Sequence, residues 1–192
     1  MMSCQPGCRF CERLRAAALE LVGSGGLEGL TLHTLSERAG CTVEEVRDHY
    51  ATEWECLWAT YDEVSFGLFL ELASGFAEPG SWESAVARAL RRLLARLAAN
   101  PAEARLCFVE ALRGDRRLRG HYAKTRLSVV ELFANEHRRR GRRGESELQI
   151  ELLVGAAVQA IAGAVVGGRV RELHELEYRL LELPEVFTPI AA

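Results

Sequence analysis

At 192 residues, 48% of them hydrophobic and 27% charged, the chain can bury one substantial core, or a small domain beside a medium one. A net charge of −3 excludes a globally basic nucleic-acid binder, so any case for DNA must rest on local charge balance. Only five prolines and long Ala/Leu/Arg/Glu stretches point to an all-α chain.

Met1 to Phe10 lacks the basic start and apolar run of a secretion signal. A cytoplasmic location is therefore expected, and the six cysteines read as thiols or ligands rather than as a disulfide framework. Cys4, Cys8 and Cys11 have a spacing at which three thiolates can hold zinc or an iron–sulfur cluster, with Cys41 or Cys56 as a fourth ligand. A cysteine-bearing end without such a role is the alternative.

The first helix is expected from Arg9 to Val22, because Phe10, Leu14, Ala17, Ala18 and Leu21 recur at gaps of three and four. Gly23 to Gly26 ends it. A second short helix follows from about Leu32 to Arg38, and Gly40 supplies a left-handed stop. Thr42 then caps a third helix, with Glu45 completing a capping box and Val46 and Tyr50 facing inward. Two short helices about such a turn form a helix-turn-helix, whose second helix enters the major groove.

Thr52 caps a long fourth helix from Glu53 to about Phe76, and Pro79-Gly80 breaks it. Ser81 starts the next helix, Asn100-Pro101 stops and restarts the chain, and Leu106 to Leu112 is apolar on nearly every side. A further long helix after Gly114-Asp115 ends in the basic run from His137 to Arg143, which reads as a solvated loop. The last large helix is expected from Ser146 to Val170 and a shorter one from Glu172 to Glu182. Within it, Leu152 to Gly168 is uncharged, but its Ala/Gly character and Gln159 favour a buried helix over a membrane span.

The stretches RLRAAALELV, GLEGLTLHTLSERAGCTVEEVRDHY and ATEWECLW, together about the first 60 residues, resemble the tetracycline-repressor (TetR) family of bacterial regulators. The resemblance implies a homodimer, and the composition of the last large helix argues against a membrane partner. Residues 1–52 would form a three-helix DNA-binding domain, and residues 53–192 a helical ligand-binding and dimerisation domain. A small effector would alter the spacing of the two recognition helices and release the operator. Glu44 and Glu53 stand where the family carries a small or basic residue and a lysine. Across residues 1–52, five basic residues against seven acidic leave a net of −2. Either Glu44 or Glu45 accepts from a cytosine amino group, or the DNA contact is weakened.

Candidate DNA contacts are Thr31, Thr42, Glu44, Glu45, Arg47 and His49, with Arg47 foremost because a guanidinium serves phosphate or guanine. Simple capping is the competing account of Thr31 and Thr42. The ligand pocket is expected among Trp58, Tyr61, Ser65, Phe69, Trp82, Phe108, His121, Tyr122 and Gln159, and a hydrophobic or aromatic ligand is favoured. For the dimer interface, Phe133 is joined by the small residues Gly155, Ala156, Ala160, Gly163, Ala164 and Gly167, which allow close helix approach. The competing account is tight packing within one chain. No catalytic elbow, phosphate loop or metal-binding His pair occurs, so an enzyme is not expected. A ligand-responsive repressor leads; a metal- or redox-sensing regulator and a ligand-binding homologue with weakened DNA contact are the alternatives.

Overall fold

The computed structural model describes residues 7–140 and 147–181, and these are helical with no strand. Helix α1 spans Arg9–Gly25, three residues past its expected end. The extension follows from Ser24, whose hydroxyl donates to the carbonyls of Glu20 at 2.9 Å and Leu21 at 3.2 Å. Leu14, Ala17, Ala18 and Val22 form its buried stripe.

Helices α2 (Leu32–Ala39) and α3 (Val43–His49) are joined at Gly40, whose φ of 65° is the left-handed conformation that the turn requires. Cys41 N–H closes back on the Ser36 carbonyl at 3.0 Å, the wider-spanning bond of a Schellman stop. Leu35, Ala39, Val46 and Tyr50 turn inward onto α1 and join one continuous core.

Helix α4 (Glu53–Ala77) is the central strut, and α5 (Trp82–Ala99) runs closely against it. Gly75 makes that approach feasible: a Cβ there would fall 2.4 Å from the Ala89 backbone. Helix α6 starts at Pro101–Arg105, passes a π-helical turn at Leu106–Glu110 and ends at Ala111–Arg113. Helix α7 (Arg116–Arg139) is capped by Asp115, which accepts from Leu118 N–H at 2.7 Å.

The basic run after α7 is partly structural. Arg140 donates to the Phe76 carbonyl at 2.9 Å and Arg139 to the same atom at 3.3 Å, so both close the carbonyl end of α4. Positions 141–143 lie outside the described residues. Helix α8 (Glu147–Val166) stops four residues before the expected Val170, at Gly167 and the positive-φ Gly168. A 3-10 turn at Val170–Glu175 leads into α9, Leu176–Leu181.

Candidate nucleic-acid interface and ligand cavity

The capping residues of the helix-turn-helix are committed to the turn. Thr31 accepts from Thr34 N–H at 3.1 Å, and Thr42 accepts from Glu45 N–H at 3.2 Å. The Glu45 carboxylate in turn accepts from Thr42 N–H at 2.8 Å and from its hydroxyl at 3.1 Å. These bonds from Thr42, backbone first, hold the Glu45 carboxyl below its ordinary range. Glu45 is thus engaged as a cap, which leaves Glu44, exposed beside it, as the carboxylate turned to solvent.

Arg47 and Asp48 are also exposed, whereas Val46 is fully buried. Of the other arginines of the first three helices, Arg9 is exposed and Arg13, Arg15 and Arg38 are held within the chain. Arg15 pairs with Glu63 and donates to the Tyr50 hydroxyl at 3.2 Å, Arg38 meets Glu20 at 3.2 Å, and Arg13 lies over the Phe10 ring. Arg47 makes no hydrogen bond or ion pair among the described residues.

His49, expected at the DNA face, turns the other way. Its ring lies 4.8 Å from Phe10, and Nδ1 is 3.2 Å from the Cys11 sulfur. Cys8, Cys11 and His49 place their donor atoms within 4.8 Å of one another. Cys4 lies outside the described residues. Cys41 and Cys56, the candidate fourth ligands, are free thiols, as are Cys8 and Cys107. Contrary to the all-thiol expectation, Cys11 takes part in a disulfide.

Between α4, α5, α6, α7 and α8 lies a largely apolar cavity of about 100 Å³. Tyr61, Ser65, Phe69, Phe108 and Tyr122 line it as the sequence suggested. Cys107, Thr125 and Arg126 also line it, and spacing gave no sign of them. The π turn brings the consecutive Cys107 and Phe108 both against the cavity, and such turns are frequent at functional sites. Burial is the main influence that pushes the Tyr61 and Tyr122 hydroxyls and the Cys107 thiol above their usual ranges.

Ser65, Phe69 and Thr125 also line an adjoining open groove between α4 and α7. Trp58 and His121 lie there rather than in the cavity. The Trp58 indole donates to Asp115 at 3.2 Å and carries the Arg117 guanidinium 4.0 Å above its ring. His121 Nδ1 is 2.6 Å from an Asp62 oxygen. Arg116, Arg117 and Lys124 give the groove a cationic excess over Asp62 and Asp115.

Two expected pocket residues are elsewhere. Trp82 is stacked against Phe76 and set edge-on to Phe133 and His137, a buried aromatic cluster that meets the cavity through Phe133. Gln159 is exposed on the outer side of α8.

Along that outer side, Leu148, Leu152, Gln159, Gly163 and Val166 form one exposed row, with Gly167 at its end. Leu148 is 61% exposed and Val166 74%. Gly155, Ala156 and Ala160 flank the row, half-buried. Phe133 and Ala164 do not belong to it: both are buried in the chain's own core, Phe133 edge-on to Phe76.

The fold therefore belongs to a class with a capped helix-turn-helix at one end and a helical body that holds an apolar cavity. Known structures share it. The fatty acid degradation regulator FadR of Bacillus halodurans superimposes with a TM-score of 0.81 at 15% identity, over 94% of this chain and 96% of that one. FadR of Bacillus subtilis, solved in complex with stearoyl-CoA, gives 0.78 at 14% identity over 90% and 96%. A TetR-like transcriptional regulator from Rhodococcus sp. RHA1 gives 0.74 at 17% identity over 96% and 100%. At these identities the likeness establishes the TetR-type fold. No family model matches the chain, and no curated protein sequence does either.

Proposed function

We propose that the chain is a TetR-type, ligand-responsive DNA-binding regulator, a homodimeric cytoplasmic repressor released from its operator by a small effector. Residues 1–52 serve as the DNA reader and residues 53–192 as the effector and dimer body. The observation that carries this reading is the joining of a capped helix-turn-helix, its recognition helix open along Glu44 and Arg47, to a partly open apolar cavity.

Arg47 supplies the main contact, to phosphate or guanine, with Glu44 positioned to accept from a cytosine amino group. Thr31 and Thr42 act as caps first and as phosphate donors second.

The effector is an elongated molecule with an apolar segment and an anionic end. About 100 Å³ is smaller than the ~150 Å³ cavity that admits benzene, so the space takes a short acyl segment rather than a ring. The remainder occupies the groove, where Arg116, Arg117 and Lys124 favour a negative end. The stearoyl-CoA of the Bacillus subtilis neighbour is of this class, an acyl chain joined through a thioester and a pantetheine arm to a phosphorylated nucleotide.

Effector and reader are connected through α4. This helix contributes Tyr61, Ser65 and Phe69 to the cavity and begins four residues after α3 ends. Arg15 of α1 binds both Glu63 on α4 and Tyr50 after α3, so a shift of α4 moves the end of the recognition helix.

Dimerisation is assigned to the exposed row of α8. That helix is long and apolar enough to cross a membrane, yet only 28% of the stretch is buried within the chain. A Cβ added at Gly155 or Gly163 would meet nothing within 4 Å, so tight intrachain packing does not explain those glycines. Leu127 on α7, 53% exposed, is the residue of that helix offered to a four-helix contact.

The internal pairing of Arg13, Arg15 and Arg38 favours a second reading, an effector-binding homologue with weakened DNA contact. Selection of bound fragments from genomic DNA separates the two. Enrichment of a palindromic site supports the repressor, and no enrichment supports the second reading.

A further inference from the structure

The start of α1 carries a cluster that neither the DNA contact nor the effector cavity uses. Cys8 is the N-cap of α1, Cys11 lies one turn on, and His49 is the last residue of the recognition helix. Their donor atoms fall within 4.8 Å of one another. Cys11 is fully buried while Cys8 and His49 are half-buried, so the group rests on the core and is reached from solvent. Phe10 supports the His49 ring from below at 4.8 Å. Two sulfurs and one imidazole nitrogen suit zinc, whose sites mix thiolate and histidine, better than an iron–sulfur cluster held by four thiolates.

We propose that the reduced chain binds one zinc-class ion through Cys8, Cys11 and His49, and that the ion ties the end of the recognition helix to the start of α1. The disulfide at Cys11 makes the site redox-gated. Two equivalents of a thiol reductant convert that disulfide to two thiols and themselves become one disulfide. Zinc then binds as the Cys8 and Cys11 thiols release two protons, with neutral His49 as third donor and water in the fourth position. Because His49 belongs to α3, ligation restrains the helix that carries Arg47. The ion site stands on its own geometry and does not depend on the chain being a repressor.

The test uses the full chain, reduced with dithiothreitol, freed of reductant without oxygen and titrated with Zn²⁺ against a chromophoric chelator. Co²⁺ serves as the spectroscopic substitute. One ion per chain is expected, with thiolate-to-cobalt charge-transfer bands that are missing from the oxidised chain. Cys8→Ser and Cys11→Ser should abolish these bands. His49→Gln should weaken binding by more than the roughly 10- to 100-fold that loss of an outer-shell partner costs. Cys41→Ser, in the turn, should change nothing, and circular dichroism checks that each variant is folded. Zinc should also slow amide exchange across α3 in the wild type but not in His49→Gln. A reduced chain that takes up no ion, or ion binding unchanged in Cys8→Ser and His49→Gln, overturns the site. Unchanged α3 exchange in the zinc-loaded wild type overturns the tie to the recognition helix.

Discussion

Ser65→Leu is the substitution that most directly separates the effector cavity from the rest of the fold. Ser65 lines both the cavity and the groove, and its hydroxyl donates only to the Asp62 carbonyl of its own helix, at 3.2 Å. Its loss therefore leaves no buried partner stranded. At ~24 cal/mol per Å³, an empty cavity of about 100 Å³ costs on the order of 2.4 kcal/mol. Leucine can recover part of that, offset by roughly 1–3 kcal/mol if it overpacks, so the apo melting temperature should move by only a few degrees. Effector binding is another matter. At a hundred times its Kd, a ligand stabilises the wild type by about 2.7 kcal/mol. For a chain of this length that is a rise of roughly 5–10 °C in Tm. With stearoyl-CoA as the probe in a thermal-shift assay, the wild type should show this rise and Ser65→Leu almost none. An undiminished shift in the variant would refute the assignment of the effector to this cavity.

The remaining predictions concern the reader and the dimer. Arg47→Ala should lower operator affinity roughly 5- to 150-fold, the loss of about 1–3 kcal/mol that one good contact supplies, while its Tm stays within a degree or two. Anisotropy with a selected fragment checks the first and calorimetry the second. Leu152→Asp puts a charge in the exposed row of α8 and should convert the dimer to a monomer by light scattering, with stearoyl-CoA binding retained. Glu45→Gln tests the cap through pH. The folded carboxyl lies below its ordinary range, so its stabilisation is complete above that range and lost as pH falls through the lowered value. In urea denaturation the wild type should exceed Glu45→Gln near neutrality, and the two should converge in acid.

Local signals were legible in the sequence because their partners are local. Thr42 and Glu45, Gly40, Thr52 and Asp115 each act on groups a few residues away, and so the helix-turn-helix and most helix starts could be read directly. The apolar row of α4 likewise places Tyr61, Ser65 and Phe69 on one side at helical spacing. What spacing cannot give is the neighbour. His49 has the same position on α3 whether it faces DNA or α1, and its partner Cys11 is 38 residues upstream. Trp82 is aromatic and inward in either case, yet its helix carries it to the Phe76–Phe133 cluster instead of the cavity. Cys107 and Arg126 reach the cavity through a π turn and a helix crossing, neither of which leaves a periodic trace. Phe133 is buried within the chain while the row of α8 is exposed, a difference that residue type and spacing do not carry.

The central claim, that an effector in the helical body controls DNA binding by α3, reduces to one titration. A fragment enriched from genomic DNA is labelled and bound to the wild-type chain, and its anisotropy is followed as stearoyl-CoA is added at fixed salt. Release of the fragment, with Ser65→Leu remaining bound at the same concentrations, is the predicted result. A fragment that stays bound to the wild type at saturating ligand, with ligand binding verified by thermal shift, would contradict the account.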